Sequence, residues 1–280
     1  MQFPTADITS NVDIARTLLA VAGQSSEGLV HVGGGFDNEI WRTTRHTLRL
    51  PRRTSAVALL DNEQRWQAEA TAPLRLPTPT IVWRGRPHEV FPYPWNVTTW
   101  IEGDIALRTG PITSLSAAAT LGAALRDLHR SAPHDAPMNP FRGVPLERRH
   151  ESFTLQNERD GDGWLARHFA HGLRATPFAG QPRWLHGDLH GGNLVLRDGE
   201  LAGLIDFGDL CAGDPACDLG GALLALHPTT WGALTDCYRA DGPTWQRAFG
   251  WLAFFIAAHL GIGGRHAMAA DATLRAWRAL

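Results

Sequence analysis

This chain contains no lysine; all 26 of its basic residues are arginine. Mechanisms that require a lysine ammonium are therefore closed to it. A Walker-type phosphate loop is excluded too, since no Gly-Lys-Ser/Thr follows its glycine run. Cysteine is scarce. Cys211, Cys217 and Cys237 are the only three, too few and too irregular for a disulfide framework, and no CxxC pair offers metal spacing. Long apolar runs are missing as well. The most apolar stretch, residues 251–260, is too short to span a bilayer. Residues 1–7 lack the basic and apolar regions of a signal peptide. The expectation is a cytoplasmic protein with no membrane partner. The net charge of −2 argues against a nucleic-acid partner, which wants a basic face. The chain shows no repeats, low-complexity tracts or charge blocks, and its oligomeric state is not legible.

What is present is 280 residues, enough for one two-lobed unit or two small domains. Ile8, Val12, Ala15, Leu18, Leu19 and Ala22 form a helical stripe over residues 8–22. Residues 29–51 read as three antiparallel strands, broken by Gly33-Gly34-Gly35 and ended by Pro51. A helix is expected over 54–70, then strands over 80–84 and 96–101. Such a sheet of five strands, with a helix between the third and fourth, is a coherent α+β unit. From residue 113 the pattern turns helical. A mostly polar helical stretch over 146–174 is broken at Gly161-Asp162-Gly163, and residues 218–280 read as helical to the end. Between them lie short strands at 184–185 and 194–196. Asp198-Gly199 then makes a hairpin turn into a strand over 201–205.

The chemistry concentrates around that hairpin. His186-Gly187-Asp188-Leu189-His190-Gly191-Gly192-Asn193 is followed by Ile205-Asp206-Phe207-Gly208-Asp209. An Asp, an Asn five positions later and a second Asp thirteen after that give the spacing of a kinase catalytic loop and its metal-binding Asp. Gly187 stands where a kinase usually has Arg. Asp188 is the candidate base for a hydroxyl proton. Asn193 and Asp206 are candidate magnesium ligands, because Mg2+ prefers oxygen donors and keeps several waters. The hairpin can fold Asp206 back toward Asn193. The plainer reading of Asp188 is a turn residue.

Other groups fit around this array. Gly33, Gly34 and Gly35 let backbone amides approach phosphate oxygens, though a ligand-free hairpin has the same composition. Arg49 on the third strand can grip a phosphate two-pronged, with Glu63 on the next helix as its ion-pair partner and Glu69 as the rival. His186 is expected to orient the loop, and His190 to touch substrate or solvent. Asp218 either accepts hydrogen bonds from the loop or caps the following helix, and the cap is the simpler expectation. The aromatic residues of 245–255 read as core.

Taken together, these segments resemble the aminoglycoside phosphotransferase family of small-molecule kinases, with its macrolide and choline kinase relatives. The resemblance is carried by Gly34 to Asn38, Leu48 to Arg53, His186 to Asn193, and Ile205 to Asp209 with Gly213 to Leu219. Trp100-Ile101-Glu102-Gly103 resembles the inter-lobe hinge, and Leu121-Gly122 to Leu128-His129 a helix of the second lobe. The resemblance implies an α+β, bilobal protein-kinase-like fold. Residues 1–103 would form an N-terminal nucleotide-binding lobe with a five-stranded antiparallel sheet. Residues 104–280 would form a larger, mainly helical lobe for catalysis and substrate. It also implies ATP or GTP between the lobes, with the base against backbone around Thr99, Trp100, Ile101 and Gly103. Arg49 departs from the family's usual Lys.

The expected activity is magnesium-dependent transfer of the nucleotide γ-phosphate to a hydroxyl of a small molecule. An aminoglycoside- or macrolide-type antibiotic is the first acceptor class and an amino alcohol or sugar the alternative. A nucleotide-binding pseudokinase scaffold is the reading from another class. Residues 231–280 carry Asp236, Asp241 and Asp271 against five arginines, a poor wall for a polycation. Glu158, Asp160 and Asp162 are the acids that might improve it.

Overall fold

A computed structural model describes residues 5–157 and 162–280, so Glu158 and Asp160 lie outside the described residues. The chain divides into two compact units. One runs to Glu69 and resumes over Thr78–Ile101; the other takes Ala70–Pro77 and Glu102–Leu280.

The first unit is built on β1 (Val30–Gly34), β2 (Asn38–Arg42), β3 (His46–Pro51), β4 (Ile81–Gly85) and β5 (Trp95–Thr99). They form one antiparallel sheet in the order β1-β2-β3-β5-β4. Helix α1 (Val12–Val21) starts later than its apolar stripe suggests, because Asn11 caps it. The Asn11 Oδ1 accepts the N–H groups of Asp13 and Ile14 at 3.0 and 2.9 Å. Ile8 still packs on the core, outside the helix. There Ala15, Leu18 and Leu19 meet Trp41, Leu48, Leu50, Trp95 and Val97. Helix α2 (Thr54–Thr71) connects β3 to β4, where the sequence puts it. Strand β5 stops at Thr99 rather than Ile101, and the next amide, Trp100 N–H, turns to the Arg45 carbonyl at 3.1 Å.

The second unit is mainly helical. It contains β6 (Asp104–Ile105), α3 (Leu115–Leu128), α4 (His150–Gln156), α5 (Trp164–Leu173), β7 (Arg183–Leu185), β8 (Leu194–Arg197) and β9 (Glu200–Leu204). After these come β10 (Cys211–Gly213), α6 (Ala216–Ala225), α7 (Trp231–Tyr238), α8 (Gly242–Ile262) and α9 (Gly264–Arg278). The helical stretch expected over 218–280 divides into four helices. Pro228 cannot continue α6, Asp241 caps a new start by accepting Thr244 N–H at 2.8 Å, and Gly263 breaks the chain at φ 86°. Helix α8 is buried on most sides and packs against α5, α6 and α9. Among the described residues no helix is long and apolar enough to cross a membrane. Two small sheets, β6-β8-β9 and β10-β7, hold the segments that carry the chemistry.

Candidate active site

Strand β7 delivers His186 at its end, and the loop from Gly187 to Asn193 follows. The loop is held from three sides. Asp218 Oδ2 accepts the His186 N–H at 2.6 Å and Oδ1 the Gly187 N–H at 3.0 Å. His186 Nδ1 accepts the Asp188 N–H at 3.2 Å while its Nε2 faces the Ile205 carbonyl at 2.9 Å. That pair of contacts fixes the proton on Nε2 and makes His186 an orienting group. Asn193 Nδ2 donates to the Asp188 carbonyl at 2.8 Å.

The same hairpin brings Asp206 beside Asn193. Leu194 pairs with Leu204, and the Ile205 N–H donates to the Asn193 carbonyl at 3.0 Å, so Asp206 is the first residue past the last rung. It takes a left-handed φ of 65° and stays exposed. Gly187 has φ 86°, and a Cβ there would fall 2.1 Å from the Asp209 carbonyl oxygen. That close approach is why an arginine does not fit at this position of the loop.

Asp188 is the best-partnered acid of the loop. Arg142 Nη2 lies 2.9 Å from its Oδ1 and His190 Nε2 3.4 Å from its Oδ2. His190 Nδ1 accepts the Gly192 N–H, so its Nε2 points a proton at the carboxylate. Burial works against the ionised form, but His190, Arg142 and His186 outweigh it and hold Asp188 well below the usual carboxylate range. Asp209 goes the other way. Burial, reinforced by the charge of Asp188, pushes its carboxyl up to about 6.

In the sheet unit, Arg49 Nη1 meets Glu63 Oε1 at 2.6 Å, with both side chains buried. The glycine turn after β1 is braced. Gly35 N–H donates to the Asn38 carbonyl at 2.7 Å, Arg52 Nη1 donates to the Gly35 carbonyl at 2.7 Å, and Arg53 pairs with Asp37. Gly33 carries φ 138°; Gly34 lies in β1 beside Glu39 and Arg52. Thr99 Oγ1 accepts the Thr80 N–H at 2.9 Å, and Arg42 stacks over Trp100 at 4.3 Å. Ile101 is the last residue of this unit. Gly103 belongs to the other, where a Cβ would sit 2.4 Å from the Leu196 carbonyl oxygen.

The profile of the phosphotransferase enzyme family matches residues 28–253, most of the chain. The chain belongs to this family. The solved structures it resembles share the kinase-like fold. One is a GDP and kanamycin complex of the phosphotransferase APH(2″), with a TM-score of 0.69 at 17% identity over 96% of this chain and 97% of that one. Another is the macrolide 2′-phosphotransferase MphH of Brachybacterium faecium, at 0.65 and 19% over 94% and 98%. A gentamicin complex of a second APH(2″) form matches at 0.65 and 17% over 97% and 96%.

Several residues around Asp188 were not legible in the sequence. The loop before α4 supplies Arg142. Asn139 Oδ1 shapes it by accepting the N–H groups of Phe141 and Arg142 at 2.8 and 3.2 Å. Asn139 Nδ2 then donates to Asp209 at 2.7 Å, and the Gly143 carbonyl accepts Asp214 N–H at 2.9 Å. His190 also packs edge-on to His259 and His266, with ring centroids 5.3 and 5.2 Å away. Burial, then repulsion from His190 and His266, keeps His259 well below its ordinary value. These residues lie more than forty positions from the loop along the chain, in no motif. Asp218 is a correction. Three residues inside α6, it serves the loop and His129 (3.1 Å) rather than capping the helix; Asp214 accepts the Ala216 N–H at 3.0 Å instead.

Proposed function

We propose that this chain transfers the γ-phosphate of ATP or GTP to a hydroxyl of a small molecule with the help of magnesium. The observation that carries the reading is the convergence of Asp188, Asn193 and Asp206 through the hairpin of β8 and β9. The donor set suits magnesium. Asn193 spends its Nδ2 on the Asp188 carbonyl and, among the described residues, keeps its Oδ1 uncommitted, while Asp206 offers an exposed carboxylate one residue past the hairpin. Among the described residues no group of three His, Cys, Asp or Glu is arranged to hold a metal, so these two oxygen ligands would be completed by phosphate and water. When bound, magnesium would neutralise charge on the nucleotide phosphates.

The chain's own residues do the rest. Asp188, held ionised by Arg142 and His190, receives the hydroxyl proton as the bond to phosphorus forms. His186 and Asp218 keep its backbone in place. Within the sheet unit, the Arg49–Glu63 pair holds a guanidinium in an orientation suited to phosphate, and the braced glycine turn offers amides. Positioning and charge supply most of such a rate gain.

For the acceptor, the charge beside the base favours the small-metabolite class over an aminoglycoside. A polycation would meet Arg142 at the carboxylate that must receive its proton. Asp162 and Asp271 do line a cavity of about 710 Å³ between α5, α8 and α9, but Arg278 and Arg275 already pair with them, and no residue of the catalytic loop lines it. The deciding experiment is nucleotide consumption by wild type and Asp188→Ala across neutral, cationic and anionic alcohols. Wild-type turnover that the variant loses while still binding nucleotide supports the assignment; a fully active variant removes it.

A further inference from the structure

We infer that Arg149 is the anion-binding element of an acceptor subsite, and that the acceptor is an alcohol carrying a carboxylate or phosphate group. The hydroxyl end of this inference rests on the phosphotransfer reading; the subsite itself rests on Arg149.

Among the described residues, three arginines are buried below a tenth exposure: Arg49, Arg149 and Arg247. Two of them are answered. Arg49 has Glu63 at 2.6 Å, and Arg247 has Asp214 at 2.7 Å with the Thr176 carbonyl at 2.6 Å. Arg149 is 9% exposed and, among the described residues, meets no carboxylate and no hydrogen-bond acceptor. Its Nε is buried without a partner. What it does have is aromatic faces: Phe254 at 4.9 Å and Phe141 at 5.4 Å.

Those rings satisfy the faces of the guanidinium. They leave the in-plane donors unused, and a guanidinium has five of them in a fork that fits a carboxylate or phosphate. A charge withdrawn from water without a partner is costly. Burial, then the nearby charge of Arg142, lower the Arg149 pKa, and Cys217 opposes them only in part. A ligand that brings its own oxyanion relieves this.

The position is apt. Arg142 stacks over Phe255 at 5.6 Å, and Phe254 and Phe255 are successive rings on α8 with centroids 5.5 Å apart. The two guanidiniums therefore sit over neighbouring rings, and the nearer one touches Asp188. A short hydroxy acid or phosphorylated polyol would set its oxyanion at Arg149 and its hydroxyl toward Asp188. Phe141, which flanks Arg149, is exposed and follows the turn that Asn139 braces.

The test uses the full chain without nucleotide or metal, at low ionic strength. D-glycerate, glycerol phosphate and glycerol are titrated by calorimetry into wild type and Arg149→Met, and melting temperatures are recorded without ligand. The expected result is saturable binding of one or both anions and none of glycerol. Arg149→Met should weaken that binding at least about tenfold and leave the unliganded melting temperature equal or higher. Whether glycerate or glycerol phosphate binds tells which oxyanion is taken. Equal affinity in both proteins, or no saturable anion binding, overturns the subsite. A purely structural stack on Phe254 would instead lower the melting temperature of the variant and leave anion affinity alone. Should Arg149→Met fail to fold, Arg149→Lys keeps the charge without the fork; unchanged anion affinity there is equally fatal. Anion binding without phosphate transfer to any alcohol, anionic, cationic or neutral, would end the phosphotransfer reading and spare the subsite. Transfer to neutral alcohols, unaffected by Arg149→Met, would do the reverse.

Discussion

Asp218 Oδ2 lies 2.6 Å from the backbone nitrogen of His186 and accepts its hydrogen. Through Oδ1 the same carboxylate takes the Gly187 amide, and His129 approaches from behind at 3.1 Å. Burial disfavours this charge, yet His129, then His186 and the Gly187 amide, hold its pKa below the ordinary value. One buried acid thus anchors the start of the loop that carries Asp188.

Asp218→Ala leaves two buried amides and an imidazole without their acceptor. The expected cost is about 3 kcal/mol or more, read from urea unfolding, with turnover falling more than nucleotide affinity. A change below about 0.5 kcal/mol, the range of ordinary surface substitutions, would show that water replaces the carboxylate.

Glu63→Ala strands the buried Arg49 guanidinium. Breaking such a pair on one side costs about 3–5 kcal/mol. The double variant Arg49→Met, Glu63→Leu should recover much of that loss, because it removes the unpaired charge with the pair. Chemical denaturation of all four proteins measures the coupling. Additive losses would mean that the 2.6 Å contact carries no net energy.

Asp209 sets a pH signature. Its carboxyl stands at about 6 in the fold against 3.8 when free, mainly through burial. Between those values the native chain binds more protons than the unfolded one. Its contribution to stability is therefore present at the acid end and is lost as pH rises through about 6. Melting curves of the metal-free chain across that window should show the decline, and Asp209→Asn should flatten it. An identical slope in the variant would assign the titration elsewhere.

Gly187→Ala tests the backbone of the loop. Its φ of 86° and the Asp209 carbonyl 2.1 Å from an added Cβ predict a loss of about 1–3 kcal/mol from conformation alone, with the clash on top. Thermal melting gives the first number and steady-state kinetics the effect on Asp188. A neutral substitution would mean that the Asp209 segment yields freely.

The sheet unit was readable because local rules govern it. Alternating residues in β2 and β3, Pro51 at a strand end and an amphipathic α2 each follow from short-range pattern, and the pairing of Arg49 with Glu63 follows from their registers on adjacent elements. Boundaries slipped where a single contact decides them, as at Asn11, which caps α1 three residues after Ile8. The helices beyond residue 218 were legible as helices but not as four, since an apolar run such as 251–260 hides where a chain turns.

The sequence by itself determined the loop and hairpin that carry the candidate site. Asp188, Asn193 and Asp206 sit on one loop and one hairpin, and a hairpin's geometry is fixed by its turn residues, Asp198 and Gly199. Tertiary structure alone decided the company that Asp188 keeps. Arg142 reaches it, and Asn139 and His259 reach its neighbours Asp209 and His190, by the packing of distant segments; among the described residues Arg149 stays unanswered because α8 offers it rings instead of carboxylates. Local turns are encoded within a few residues; an electrostatic environment is the sum over every segment that folding brings near, and no spacing along the chain records it.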